Sequence, residues 1–216
     1  MLSYSGARAF YDRLGSLQDS QGFYEDRATR DLIAHAELEK AERIFEFGCG
    51  TGRFARDILS RHLPPSASYH GVDLSSTMVR LSRERLATFG ERVRVEQSDG
   101  APQIDGADAS FDRVLSNYVM DLLSEQNIRL FIAEAHRALV RGGKLGLVSL
   151  TRGTTRLSRL LVWGWERMHA LRPSLVGGCR PVELLDALPE THWRIEHLNL
   201  VTPFGVPSEI VVAEKL

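Results

Sequence analysis

The chain has 216 residues, with 27 Lys and Arg against 28 Asp and Glu, a net charge of −1. At about 150 residues per domain, this length predicts a single domain whose core needs no disulfide staples. The charge balance argues against a partner recruited through phosphate backbones, and 43% hydrophobic residues exclude wholesale disorder.

Residues 7–40 read as helical, with turns near Gly15 and Gln21-Gly22. Leu32, Ile33, Ala36 and Leu38 predict an amphipathic helix over 26–40. Short apolar runs then mark strands at 43–47, 68–72, 92–96, 113–116 and 144–149. Helices are predicted between them at 52–62, 76–89 and 124–140. Strands alternating with helices of this length predict βαβ units and a parallel sheet. Pro64-Pro65 ends one helix, Ser75 caps another, and Arg141-Gly142-Gly143 stops a third. After Ser149 come a long helix over 152–176, a break at Gly177-Gly178 and a short helix starting at Pro181. Strands at 194–200 and 209–214 are joined by too few residues for a crossover helix, so they should be antiparallel.

Two cysteines, Cys49 and Cys179, supply neither a disulfide framework nor a four-ligand zinc site, and His35, His62, His70, His192 and His197 lack ligand-like spacing. No metal is expected. Met1 to Gly6 lacks a basic stretch before an apolar run, and no apolar run approaches about 18 residues. The expectation is a cytoplasmic, reduced protein that does not cross a membrane.

The first strand runs into Glu46-Phe47-Gly48-Cys49-Gly50-Thr51-Gly52, and a helix follows at once. Glycines there let the chain turn sharply and let a ligand approach the backbone, although a plain strand-to-helix connection needs them too. Asp73 ends the second strand, where a carboxylate can accept both hydrogen bonds of a ribose diol. Asp99 follows the third strand, within reach of an adenine amine. Three such strand-end features in order predict a nucleoside cofactor.

The G-x-G-x-G spacing differs from the G-x-G-x-x-G of nicotinamide-dinucleotide sites. With Glu46 two residues ahead, it resembles motif I of the class I S-adenosylmethionine-dependent methyltransferases. Asp73, Ser98-Asp99, the fourth strand Phe111 to Asn117 and the turn Leu139 to Leu145 match that family in order; Arg141 stands where proline is usual. Within it, the sequence is similar to the small-molecule branch that includes the ubiquinone/menaquinone methyltransferases. The resemblance implies an α/β fold: a Rossmann-like, seven-stranded, mostly parallel sheet with a reversed last strand and helices on both faces. It also implies a division into an N-terminal helical lid (1–40), a cofactor-binding core (41–150), a substrate-side insert (151–190) and a terminal hairpin (191–216).

The resemblance implies S-adenosyl-L-methionine as cofactor and S-adenosyl-L-homocysteine as product. Gly48, Gly50 and Gly52, with Cys49 as a small filler, would line the methionine portion, and Glu46 would fix its amino group. Asp73 would hold the ribose, Ser98 and Asp99 the adenine edge, Leu74 and Met78 its faces, and Asn117 would lie near the sulfonium. The implied activity is methyl transfer to a small hydrophobic or amphipathic acceptor. A nicotinamide-dependent oxidoreductase and a non-catalytic cofactor-binding scaffold are the alternatives.

A base is needed only if the nucleophile loses a proton. Tyr11, Tyr24, Glu25, Asp121 and His169 are the candidate bases, and Tyr11, Tyr24, His169 and Asn117 the candidate catalytic residues, with none singled out; His136, on an apolar helix stripe, reads as structural. Residues 1–30 and 152–178 are expected to pack together over the methyl group as a lid. Trp163 falls off the apolar stripe of its helix and is free to face a pocket, a partner or a membrane surface. Arg152, Arg156, Arg159, Arg167, Arg172 and Arg180 suit an acidic substrate or a solvated face. The run Ser116-Asn117-Tyr118-Val119 lacks the prolines associated with methylation of DNA bases, so no nucleic-acid partner is expected. A monomer or homodimer is anticipated.

Overall fold

β1 (Arg43–Phe47) is buried at every position after Arg43, the signature of a strand covered on both faces. In the computed structural model, which describes residues 4–152 and 179–216, it lies near the middle of a seven-stranded sheet. The others are β2 (Ser68–Asp73), β3 (Val93–Gln97), β4 (Phe111–Asn117), β5 (Leu139–Leu150), β6 (Trp193–Val201) and β7 (Ser208–Lys215). Their spatial order is β3-β2-β1-β4-β5-β7-β6, with β7 antiparallel to both of its neighbours and the rest parallel. The order reverses between β1 and β4. That switch point opens a crevice beyond the carboxyl ends of the strands, where ligands bind in sheets of this kind.

The helices are α1 (Tyr4–Leu14), α2 (Gly22–His35), α3 (Arg53–Arg61), α4 (Ser76–Leu86) and α5 (Glu125–Ala138). α2, α3 and α4 send Ala28, Leu32, Ala55, Ile58 and Val79 into the core on one face of the sheet. α5 covers the other face with Ile128, Phe131, Ile132 and Ala135. Each large side chain buried this way contributes about 1.5–3 kcal/mol. The Ser75 hydroxyl accepts from Met78 N at 3.2 Å and the Ser124 hydroxyl from Asn127 N at 3.1 Å, N-caps worth about 1 kcal/mol each. No residue of α1 is fully buried.

Three expected boundaries change. α2 stops at His35, short of residue 40, because the buried Arg113 guanidinium donates to the carbonyls of Ala36 at 2.8 Å and Glu37 at 2.9 Å. Glu37 then turns left-handed, at φ +48°. α5 ends at Ala138, before Arg141-Gly142-Gly143, and those residues lie inside β5 next to a register shift against β4. No helix begins at Pro181; the backbone there is drawn onto the sheet by Val182 N to Leu150 O at 2.9 Å and Leu184 N to the Glu209 carboxylate at 2.7 Å. One 3-10 turn, Leu185–Ala187, is what remains. The predicted helix 152–176, with Trp163, His169 and most of the arginine cluster, lies outside the described residues.

Candidate active site

At the switch point the glycine turn folds back on the end of β2: Gly48 N and Cys49 N both donate to Val72 O, at 2.8 and 3.0 Å. Asp73 then clasps the turn from below, accepting from Gly50 N at 2.9 Å and Ser75 N at 2.8 Å. Gly50 has φ +53°, and a Cβ there would meet nothing within 4 Å, so it faces open space. That space is a cavity of about 1110 Å³. Glu46, Gly48, Cys49, Gly50, Asp73, Leu74, Met78, Ser98 and Asn117 line it.

Two of the expected cofactor residues stand apart. Gly52, at φ +75°, begins α3; a Cβ on it would press on Ser82 Oγ at 2.6 Å, so its smallness lets α3 approach α4. Asp99 is exposed, and its carboxylate turns back onto Ala101 N at 2.8 Å.

The floor concentrates buried acid. Glu46 is 1% exposed and accepts from the Tyr69 hydroxyl and, at 3.4 Å, from Asn117 Nδ2. Burial pushes its pKa up to about 7, against these two hydrogen bonds and helped by the neighbouring Asp73 charge. Burial likewise raises Asp73 to about 6, although the two backbone donors resist it. Asn117 Oδ1 is buried with no partner among the described residues. A pocket with two acids held near neutrality and an orphaned carbonyl oxygen is built to receive a cation that also donates hydrogen bonds. Directly after Asn117, Tyr118 takes φ +55°, a costly conformation for a non-glycine residue and one that concentrates at functional sites.

The N-terminal segment forms the roof. Asp12 of α1 accepts from the Ser75 hydroxyl and from Thr77 N at 3.1 Å, bonds that hold its carboxyl below the usual range. Asp19 accepts from Thr51 Oγ1 and from both terminal nitrogens of Arg85. Burial alone would raise Asp19, but these bonds outweigh it and lower its pKa. Asp26 and Glu25 of α2 share the Arg53 guanidinium, and burial raises Glu25 to about 7 in spite of it. Carboxylates at positions 12, 19 and 26 therefore fasten the roof to the start of α4, its far turn and the start of α3. The sequence signal was a seven-residue spacing of aspartates, of which Asp19 and Asp26 face arginines on α4 and α3 and Asp12 the N-terminus of α4.

Among the expected bases, Tyr11 and Glu25 line the cavity, Tyr24 packs edge-on to Tyr118 at 5.7 Å, and Asp121 is fully buried behind it. His136 packs edge-on against His192 and Trp193, away from the cavity. Far from the crevice, Asp31, His35 and His197 bring one ligand atom each within 4.8 Å of the others. Their separation in sequence hid this. The two imidazoles are stacked at 3.5 Å and 6°, so their in-plane lone pairs do not converge on one ion.

A family model described as a methyltransferase domain matches residues 44–143, from β1 through the turn into β5. The match, the sheet order and the acidic residue after β2 coincide. Residues 44–143 thus carry a methyltransferase domain. The chain is 33% identical over 145 residues to demethylmenaquinone methyltransferase of Porphyromonas gingivalis, covering 66% of this chain and 56% of that protein. With nocamycin O-methyltransferase of Saccharothrix syringae the identity is 28% over 206 residues, 94% of this chain and 68% of that one. The chain spans about half the length of several curated relatives it matches. Geranyl diphosphate C-methyltransferase from Streptomyces coelicolor, solved with geranyl diphosphate, Mg2+ and S-adenosyl-L-homocysteine, shares the fold. Its TM-score is 0.69 at 14% identity, covering 89% of this chain and 79% of that one.

Proposed function

We propose that this methyltransferase binds S-adenosylmethionine in the crevice at the β1/β4 switch point and methylates a small hydrophobic or amphipathic acceptor. The observation that carries this is the acid-rich floor at the end of the glycine turn, open at Gly50 and with Asn117 Oδ1 unpartnered. When bound, the cofactor supplies an electrophilic methyl on a sulfonium. Everything else falls to alignment and exclusion of water.

Asp73 keeps lone pairs free on both oxygens beyond its two backbone donors, enough to accept a ribose diol. Glu46 and Asn117 Oδ1 face the amino end, where a positive charge favours the ionised form of Glu46. Leu74 and Met78 offer apolar surface to a base, and Ser98 a polar edge. Tyr11 and the Tyr24–Tyr118 pair bring aromatic rings to the same end of the chain's fold as the acids, and such faces attract a sulfonium by about 0.5–2 kcal/mol. Among the described residues no helix is long and apolar enough to cross a membrane.

Titration calorimetry with S-adenosylhomocysteine and with a reduced nicotinamide dinucleotide tests the reading. Binding of the first and not the second is expected. The reverse pattern would move the protein to the oxidoreductases, and binding without methyl transfer to any acceptor would leave a cofactor-holding scaffold.

A further inference from the structure

Asp121 is the residue of this fold with the most unusual surroundings and no structural duty to explain them. It sits in the 3-10 turn Met120–Leu122 just after β4, with no exposed surface. Besides its own backbone N–H, neither carboxyl oxygen meets a nitrogen or oxygen donor among the described residues. Its neighbour is the Cys179 thiol, which contacts both the Asp121 carboxyl and the Tyr11 hydroxyl. This arrangement is held in place: Arg180 N donates to Asp121 O at 3.0 Å, and the Arg180 guanidinium to Leu123 O at 2.9 Å. Tyr11 in turn lines the cavity. A line of exchangeable protons therefore runs from the cavity wall to a buried carboxyl.

An acid in the interior with only a thiol and its own N–H for donors costs stability, and such costs concentrate at functional sites. We propose that Asp121 is the terminal proton acceptor of the methyl transfer, acting through Cys179 and Tyr11, and that the acceptor carries a hydroxyl or a neutral amino group. This rests on the methyl-transfer reading above. In the step, the acceptor's O or N lone pair forms the bond to the methyl carbon as the methyl–sulfur bond breaks, and that electron pair stays on sulfur. The acceptor proton passes to the Tyr11 oxygen, the Tyr11 proton to Cys179 sulfur, and the Cys179 proton to the Asp121 carboxylate. One positive charge and one negative charge vanish together. An ionised Asp121 is favoured while the sulfonium is present and a neutral one after it is gone, so proton uptake follows the chemistry.

The groups facing Asp121 suit this timing. Burial raises its pKa to about 7, with the negative charge of Glu25 adding to the rise and Arg180 and the thiol contact opposing it. Tyr11 from α1, Tyr24 from α2 and Tyr118 after β4 are all held neutral by burial. A group near 7 is poised to take a proton at neutral pH.

The test compares wild type with Asp121→Asn and Tyr11→Phe. Difference infrared spectra of the protein with S-adenosylmethionine minus S-adenosylhomocysteine report the carboxyl band that disappears in Asp121→Asn. That band should be absent with the sulfonium form and present with the product. A band present in both states, or in neither, overturns the proposal without any acceptor being needed. Methyl transfer is then measured on a panel of a phenol, an aliphatic alcohol, a primary amine, a carboxylate and a thioether. Turnover of the hydroxyl or amine compounds should fall about 10²–10⁴-fold in Asp121→Asn, with S-adenosylhomocysteine affinity within about twofold and the acidic limb of the kcat profile gone. Tyr11→Phe should lose turnover with the infrared band retained, which keeps the test available if Asp121→Asn does not fold. Turnover confined to the carboxylate or thioether, or an unchanged pH profile in Asp121→Asn, overturns the relay and leaves the methyltransferase reading standing. Failure of wild type to bind S-adenosylhomocysteine would fell both.

Discussion

Glu46→Gln separates what this site needs for binding from what the fold needs for stability. Glu46 is 1% exposed, and burial lifts its pKa from 4.5 to about 7. A carboxyl whose folded pKa lies above its unfolded value binds protons more tightly when folded, so its contribution to stability falls as pH rises between the two values. The penalty is nearly absent at pH about 4.5 and complete above about 7, where a shift of roughly 2.5 units amounts to about 3 kcal/mol. The amide variant cannot ionise. Its oxygen still accepts from Tyr69, and its nitrogen can donate to Asn117 Oδ1, which has no partner now, if that amide turns over. The apo variant should therefore be more stable than wild type by about 3 kcal/mol near pH 8.5 and by less than about 1 kcal/mol near pH 5. Urea denaturation of both proteins at the two pH values measures this. S-adenosylhomocysteine affinity should fall in the same variant by about 1–3 kcal/mol, roughly 5- to 150-fold, because a charge-assisted bond to the ligand's amino group is lost. A stability difference independent of pH would refute the buried-charge argument, and unchanged affinity would remove Glu46 from the ligand site.

Other perturbations probe the remaining walls. Asp73→Asn should weaken S-adenosylhomocysteine by about 1–3 kcal/mol in calorimetry, since one oxygen becomes a donor facing the ribose or Gly50 N. An equal dissociation constant in a folded variant would count against it. Gly50→Val should abolish binding, because it places a branched side chain in the open space above the turn at φ +53°; normal affinity would make that turn purely structural. Deleting residues 1–21 removes α1, none of whose residues is fully buried, along with Asp12 and Asp19 and their bonds to Ser75, Thr51 and Arg85. Thermal melting should shift little while the ligand leaves faster in stopped-flow measurements; a large drop in melting temperature would show the segment to be core.

The parallel sheet was legible because buried strands such as Arg43–Phe47 and Lys144–Ser149 are short apolar runs spaced by amphipathic helices, and local patterning reports both. The terminal hairpin was legible from connection length alone. Features decided by distant partners were not. Arg113, far along the chain, ends α2 by taking its last carbonyls, and Glu209 and Leu150 pull 182–184 out of the helix that Pro181 suggests. In the site, the glycine turn and Asp73 follow from the strand ends that carry them. The roof contacts of Asp12, Asp19 and Arg53, the stacking of His35 on His197 and the isolation of Asp121 arise only when the N-terminal segment, β6 and residues 179–180 meet the core. Asp99 lies after β3 as expected, exposed and with one carboxylate oxygen accepting from its own turn.

A crystal structure with S-adenosylhomocysteine bound tests the central claim most directly. Ribose hydroxyls should lie within hydrogen-bond distance of both Asp73 oxygens, the amino group against Glu46 and Asn117 Oδ1, and the ligand backbone over Gly50. Density for the ligand elsewhere, or a ribose turned away from Asp73, would contradict it.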